Sequence, residues 1–287
     1  MLRKLFKYDF KGMGRLIVPF TLLAIAVALV GCAAMFGTKN ISGAGLGSMT
    51  EFALSAILTI IVITSVVAVI AYSVLCFVAI FARFYKNFFS DEGYLTFTLP
   101  VTTRQLLLSK LFASVLWWIA AVIITVVLAV LMISAGTAPE GAFLNVNIFK
   151  DIAEILSAAT NGNGAGLTIM TAVCAVVQWT CMICMIFLAI TIGSTVARKG
   201  KVIASVGFYF AINSAVEIIF VIITTVLGII AENIEISDSL ALAWLDNFTP
   251  EGFMYGLLGT IAVLYGVTAV IQLVITNSIL KKRLNLS

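Results

Sequence analysis

Glu217 is the one ionisable residue set deep inside an apolar run of this chain, and Asn213 precedes it by about one helical turn, with Ser214 on a neighbouring position of the same turn. A buried acid is costly in lipid and usually faces a bundle interior or a cavity. It can line a transport path, bind a cationic group or carry a proton. It can equally make a structural hydrogen bond to a neighbouring helix, through Gln178 or Gln272, and residue types alone leave these uses open. Glu217, Asn213 and Gln178 are the candidate pathway residues. One acid without a partner is too little for hydrolysis inside the membrane. Cys181 and Cys184 share a helix face, but no histidine and no second pair accompanies them, so packing explains them better than metal or redox chemistry does. Cys32, Cys76 and Cys174 also lie in apolar runs.

The absences are as informative. The chain has no histidine, which removes His-based triads, HExxH zinc sites and histidine proton relays. It has no G-x-x-x-x-G-K-[ST], so it carries no P-loop. Gly200-Lys201 sits in the short turn of Arg198, Lys199, Gly200 and Lys201, whose charges are explained as topology determinants.

The elements that must position these residues follow from composition. Hydrophobic residues make up 62% of the chain and charged residues 10%, with a mean hydropathy of +1.17. An ordinary soluble domain has roughly 45–50% and 25%, so this is an integral membrane protein. A span needs about 20 apolar residues as helix. Six segments qualify, at about 16–36, 53–82, 106–135, 166–197, 202–231 and 253–280. Most approach 30 residues, so they tilt or project beyond the hydrocarbon. Fifteen of the 17 basic residues fall on the side of the two chain ends, and nine of the 13 acidic residues on the other. This is the positive-inside pattern, and it predicts a multi-pass protein with both termini cytoplasmic. The net charge of +4 conceals that asymmetry and is no argument for nucleic-acid binding. Leu29-Val30-Gly31-Cys32 imitates a lipoprotein cleavage site, but cleavage would leave five spans and spoil the even topology.

Residues 1–15 have Leu2, Leu5, Phe6, Phe10 and Met13 at helical spacing, with Arg3, Lys4, Lys7 and Lys11 mainly opposite. The pattern predicts an amphipathic helix lying in the membrane interface, followed over 16–287 by a six-helix transmembrane domain. Between the second and third spans lies a polar island, residues 81–110, with Arg83, Lys86, Asp91, Glu92, Arg104 and Lys110 in a chain otherwise poor in charge. So long a connection is usually functional or disordered, and its aromatic content argues against disorder. Within it Thr102-Thr103-Arg104-Gln105 has the capping-box pattern that opens a helix, and Pro100 closes what precedes it. Phe88, Phe89, Tyr94 and Phe97 beside the charges have the composition of a protein interface. Outer segments are expected at 136–165, with Ile148, Phe149, Ile152, Ile155 and Leu156 at helical spacing, and at 232–252, a re-entrant or interfacial cap. Gly252, Gly256 and Gly259 permit close helix approach at the start of the sixth span.

At the island the chain resembles a known family. Phe84-Tyr85-Lys86-Asn87, then Ser90-Asp91-Glu92-Gly93-Tyr94-Leu95-Thr96-Phe97-Thr98-Leu99-Pro100-Val101, then Gln105-Leu106-Leu107-Leu108-Ser109-Lys110, resembles ABC-2-type ABC transporter permeases of Gram-positive bacteria. The similarity is specific over about 30 residues and one of general pattern elsewhere. It implies an all-α, dimeric permease, homo- or heterodimeric, in the bacterial cell membrane, driven by separate cytoplasmic ATPase subunits that hold ATP and magnesium. The chain itself would then be no enzyme and hold no cofactor or metal. The cytoplasmic segment 83–105 would carry the coupling helix, with Asn87, Phe88, Phe89, Asp91, Glu92, Tyr94 and Phe97 against the ATPase and Asp91 and Glu92 as its polar contacts. Two other readings stand beside an exporter subunit: a secondary transporter coupled to ions or protons through Glu217, and a scaffold or sensor that recruits a cytoplasmic protein.

Overall fold

Where water is scarce, backbone amides must satisfy one another within a segment, and a helix does this with neighbours four residues apart. The computed structural model describes residues 2–41, 47–89, 101–139, 142–160, 164–197, 200–233 and 250–284. Among them all regular structure is helical: α1 (Leu2–Ile41), α2 (Ser48–Phe89), α3 (Thr103–Gly136), α4 (Val146–Thr160), α5 (Gly164–Val196), α6 (Lys201–Asn233) and α7 (Pro250–Leu284). Six of these, all but α4, are long and apolar enough to cross a membrane. The expected contents of the island over 90–100, including Asp91, Glu92, Tyr94 and Phe97, lie outside the described residues, as does most of the expected outer segment 232–252.

The chain divides into two compact units, Met1–Arg83 with Phe112–Ser157, and Phe84–Leu111 with Ala158–Ser287. In the first unit α1 is longer than hydropathy suggests. The interfacial segment and the first span, read as two elements, form one 40-residue helix with Pro19 inside it. Pro19 has no N–H to give the Arg15 carbonyl, yet tertiary contacts hold the turns before it. Trp117 on α3 stacks on Phe10 at a centroid distance of 5.0 Å, and its indole N–H donates to the Phe10 carbonyl at 3.0 Å.

The unit's core runs along three stripes: Met13, Ile17, Ala24, Ala28 and Cys32 on α1, Val69, Tyr72, Cys76 and Ala79 on α2, and Ala113, Ala121, Leu128, Met132 and Ala135 on α3. Small residues dominate because lipid tails are as apolar as any side chain, so helices gain by bringing backbones close. Gly31 marks one such close approach. A Cβ there would lie 2.6 Å from Ser65 Cβ on α2 and 3.1 Å from Met132 Cε on α3. Polar groups tie the same helices. Thr21 gives its one proton to the Ile17 carbonyl at 3.0 Å, so the 3.0 Å contact with Tyr72 is donated by the phenol.

The far end of α3 is closed by two side chains. Lys39 Nζ donates to the carbonyls of Ala135 and Ala138 at 2.9 and 2.7 Å, satisfying acceptors that a helix end leaves open and that favour a cation. The Asn145 amide group donates to the Thr137 carbonyl at 3.2 Å, while its Oδ1 accepts from the Asn147 N–H at 3.0 Å. Asn145 thereby closes α3 and caps α4. The helix expected from the spacing of Ile148, Phe149 and Ile152 is α4.

Gly31→Val should destabilise this unit by about 1–3 kcal/mol, since the Ser65 Cβ beside it leaves no room for a branched side chain. Gly207→Ala on α6, where a Cβ meets nothing within 4 Å, should be neutral or slightly stabilising. Thermal unfolding of the purified protein in detergent checks both, and equal losses would contradict the packing described.

Candidate functional site

The second unit is organised on α5. From Ile183 to Thr191 every side chain is buried, so this stretch is covered on all sides, as a helix apolar all round must be. It packs against α6 and α7. The turn from α5 to α6 is tight: Gly200 takes a φ of 69°, and a Cβ on Gly193 would lie 2.6 Å from the Ser205 backbone. Cys181 ties α5 to α7 through its 3.2 Å contact with the Thr268 hydroxyl. Thr268 already donates to the Leu264 and Tyr265 carbonyls, so the thiol is the donor. Cys181 and Cys184 are both buried and free, which accords with packing.

Between these three helices lies a cavity of about 480 Å³ lined by Gln178, Trp179, Cys181, Met182 and Met185 of α5, by Tyr209, Asn213, Val216, Glu217, Phe220 and Val221 of α6, and by Tyr265 of α7. All three residues singled out as pathway candidates, Glu217, Asn213 and Gln178, face this one space. Glu217 is the middle residue of α6, which runs from Lys201 to Asn233, about 24 Å of helix from either end. Gln178 and Cys181 flank the middle of α5 and Tyr265 lies close to that of α7. The cavity therefore sits halfway along all three helices.

Its polar groups are few and placed. Asn213 Nδ2 donates to Glu217 Oε1 at 2.7 Å. The acid is thus held by its own helix, one turn back, and not by Gln178 or Gln272 across the interface. Among the described residues no Lys or Arg pairs with Glu217. Gln272 is buried behind Cys181, whose sulfur lies 3.8 Å from its Oε1. Phe220 and Tyr265 pack ring to ring at 4.4 Å. The aromatic residues Trp179, Tyr209, Phe220 and Tyr265 were not singled out from sequence. One signal was available: Tyr209, Asn213, Glu217 and Val221 recur every four residues and so share a face of α6.

The root of the polar island belongs to the same unit. Phe84, 1% exposed, stacks on Phe187 of α5 at 3.8 Å with the rings 9° from parallel. Asn87, Phe88 and Phe89 are buried as well, so the three expected coupling residues that can be described form the anchored base of the island. Lys110 is buried with its ammonium 5.3 Å from the Phe88 ring centroid, a favourable cation–π distance. Thr102 caps α3: its hydroxyl accepts from the Gln105 N–H at 3.4 Å and its carbonyl from the Leu106 N–H at 3.2 Å. The capping expected at this threonine is therefore present.

Among the described residues the fold is all-helical, and its six long apolar helices define a multi-pass membrane protein. Comparison with family models, with curated proteins and with solved structures gives no match.

The hydrogen bond between Asn213 and Glu217 should appear as a coupling energy of about 1 kcal/mol in a cycle of Asn213→Ala, Glu217→Leu and the double variant. Unfolding of the four proteins in mixed micelles measures it, and strictly additive losses would show that the contact contributes nothing.

Proposed function

We propose that this chain is the membrane-spanning permease subunit of an ATP-driven exporter, working with separate cytoplasmic ATPase subunits and a second permease protomer in a bacterial cell membrane. The observation that carries the reading is the architecture of α5. Its fully buried stretch, Ile183 to Thr191, holds the root of the polar island through Phe187 and Phe84, and its middle lines the cavity through Gln178, Cys181 and Met182. Nine residues, about 13 Å of helix, separate Gln178 from Phe187. A rigid, close-packed helix of this kind can carry a displacement at one place to the other. The sequence supports the direction of flow, since the island resembles the coupling segment of such permeases and the chain has no P-loop of its own.

On this reading the basic side of the protein and both termini face the cytoplasm, the first turns of α1 lie in the membrane interface, and the island takes its thrust from the ATPase. The position of Glu217 midway along its helix supports a second reading, an ion- or proton-coupled transporter that needs no ATPase. The two differ in what drives the cargo. In a coupled exporter, depletion of the ATPase stops transport; in the second, it changes nothing and Glu217→Gln alone abolishes it.

The coupling role of the island's root is open to direct measurement. Phe187→Leu keeps most of the buried volume and removes the stacking on Phe84. Reconstituted with the ATPase, this variant should hydrolyse ATP at near the normal rate and transport about tenfold less per ATP, a coupling loss in the usual range. Unchanged stoichiometry with a fully folded variant would sink this assignment.

A further inference from the structure

The mid-helix cavity has a chemistry that selects its occupant. It contains one carboxylate, Glu217, with a single hydrogen-bond donor from Asn213. Among the described residues no Lys or Arg pairs with Glu217, so a cationic occupant of the cavity would supply the countercharge. Glu217 is exposed on the cavity wall, and at mid-helix depth in a membrane a bare carboxylate is expensive. Aromatic residues line the same cavity, Tyr209 and Phe220 from Glu217's own helix, Trp179 from α5 and Tyr265 from α7, with Phe220 and Tyr265 packed as a pair. Such rings attract a cation through their quadrupole, most strongly where water is excluded.

The same lining argues against an inorganic ion. A hard cation takes six or more oxygen ligands gathered closely around it. The side-chain oxygens of this wall, from one carboxylate, two amides and two phenols, are interleaved with thioethers, a thiol and apolar rings, and Tyr209 stands about 12 Å along α6 from Glu217. The wall suits a cation whose charge is spread over apolar atoms. The volume, about 480 Å³, lies within the range of small-molecule sites. We propose that the cavity between α5, α6 and α7 binds a lipophilic organic monocation, with Glu217 as counter-ion and the four aromatic residues as its walls. That the cation is cargo rests on the permease reading; that it binds does not.

Purified full-length protein in lipid nanodiscs, incubated with radiolabelled tetraphenylphosphonium, tests the site without any ATPase. Saturable binding at one site is expected, displaced by other organic monocations and not by the neutral triphenylphosphine oxide. Glu217→Gln should weaken it by about tenfold or more, and Trp179→Leu and Tyr265→Leu should each weaken it by several-fold to about tenfold. Glu154→Gln on α4, remote in sequence from the cavity helices, should leave it unchanged. Should a cavity variant fail to fold, competition on the unaltered protein still decides. Absence of saturable binding, equal displacement by the neutral compound, or binding indifferent to Glu217→Gln in a folded protein overturns the proposal. Proton flux that depends on Glu217 without phosphonium binding overturns it too, and makes the acid a proton carrier. Binding as expected, with no export of the cation when the ATPase is present, sinks the permease reading and leaves the site standing.

Discussion

Hydrocarbon offers no hydrogen-bond partner, and nearly every polar feature of this protein is a response to that. The hydroxyls along the apolar helices turn back on their own backbones. Thr59 donates to the Ser55 carbonyl, Thr64 to Ile60, Thr125 to Ala121, Thr180 to Val176, Thr224 to Phe220 and Thr276 to Gln272, at 2.8–2.9 Å. A hydroxyl so engaged gives up its only proton and can then only accept. That leaves the helices to meet through small residues and volume, and it makes each polar contact between helices conspicuous. Tyr72 to Thr21 and Cys181 to Thr268 are such contacts, and in each the accepting threonine has already spent its proton. Against this economy Glu217 stands out, because Asn213 gives its carboxyl group one hydrogen bond and no countercharge.

Much of the fold was legible because hydropathy and the bilayer measure the same quantity. Six apolar runs became six long helices, and the apolar spacing around Ile148 became α4. Helix ends were less legible. The first span was expected to begin at about residue 16 and α1 begins at Leu2; the second was expected to end at about 82 and α2 continues to Phe89. Hydropathy reports where apolar residues stop, whereas a helix continues while its turns have something to pack on. Trp117 supplies that for the start of α1, and Phe187 for the end of α2.

The cavity was half legible. Glu217, Asn213 and Gln178 stand out because polar residues are rare in such runs. Trp179, Tyr209, Phe220 and Tyr265 do not, since an aromatic residue in an apolar helix looks the same whether it faces lipid, a neighbour or a ligand. Only the three-helix arrangement separates those cases. For the island the limit was different: the composition of its anchors suggested an interface, while Asn87, Phe88 and Phe89 are buried where the chain leaves the apolar region. Aromatic residues beside charges mark a place where a chain must be held, and the holding can be internal.

Lys39 gives the first unit a history as well as a shape. Its acceptors, the carbonyls of Ala135 and Ala138, follow it by 96 and 99 residues. At the usual pace of synthesis, about 5–20 residues per second, some 5–20 s pass between the appearance of the ammonium and that of its acceptors. The latch joining α1 to α3 thus cannot close while the chain is shorter than that. Maturation of the first bundle is tied to the arrival of its third helix, and a ribosome that stalls before Ala138 leaves α1 without the clasp that fixes its C-terminal end.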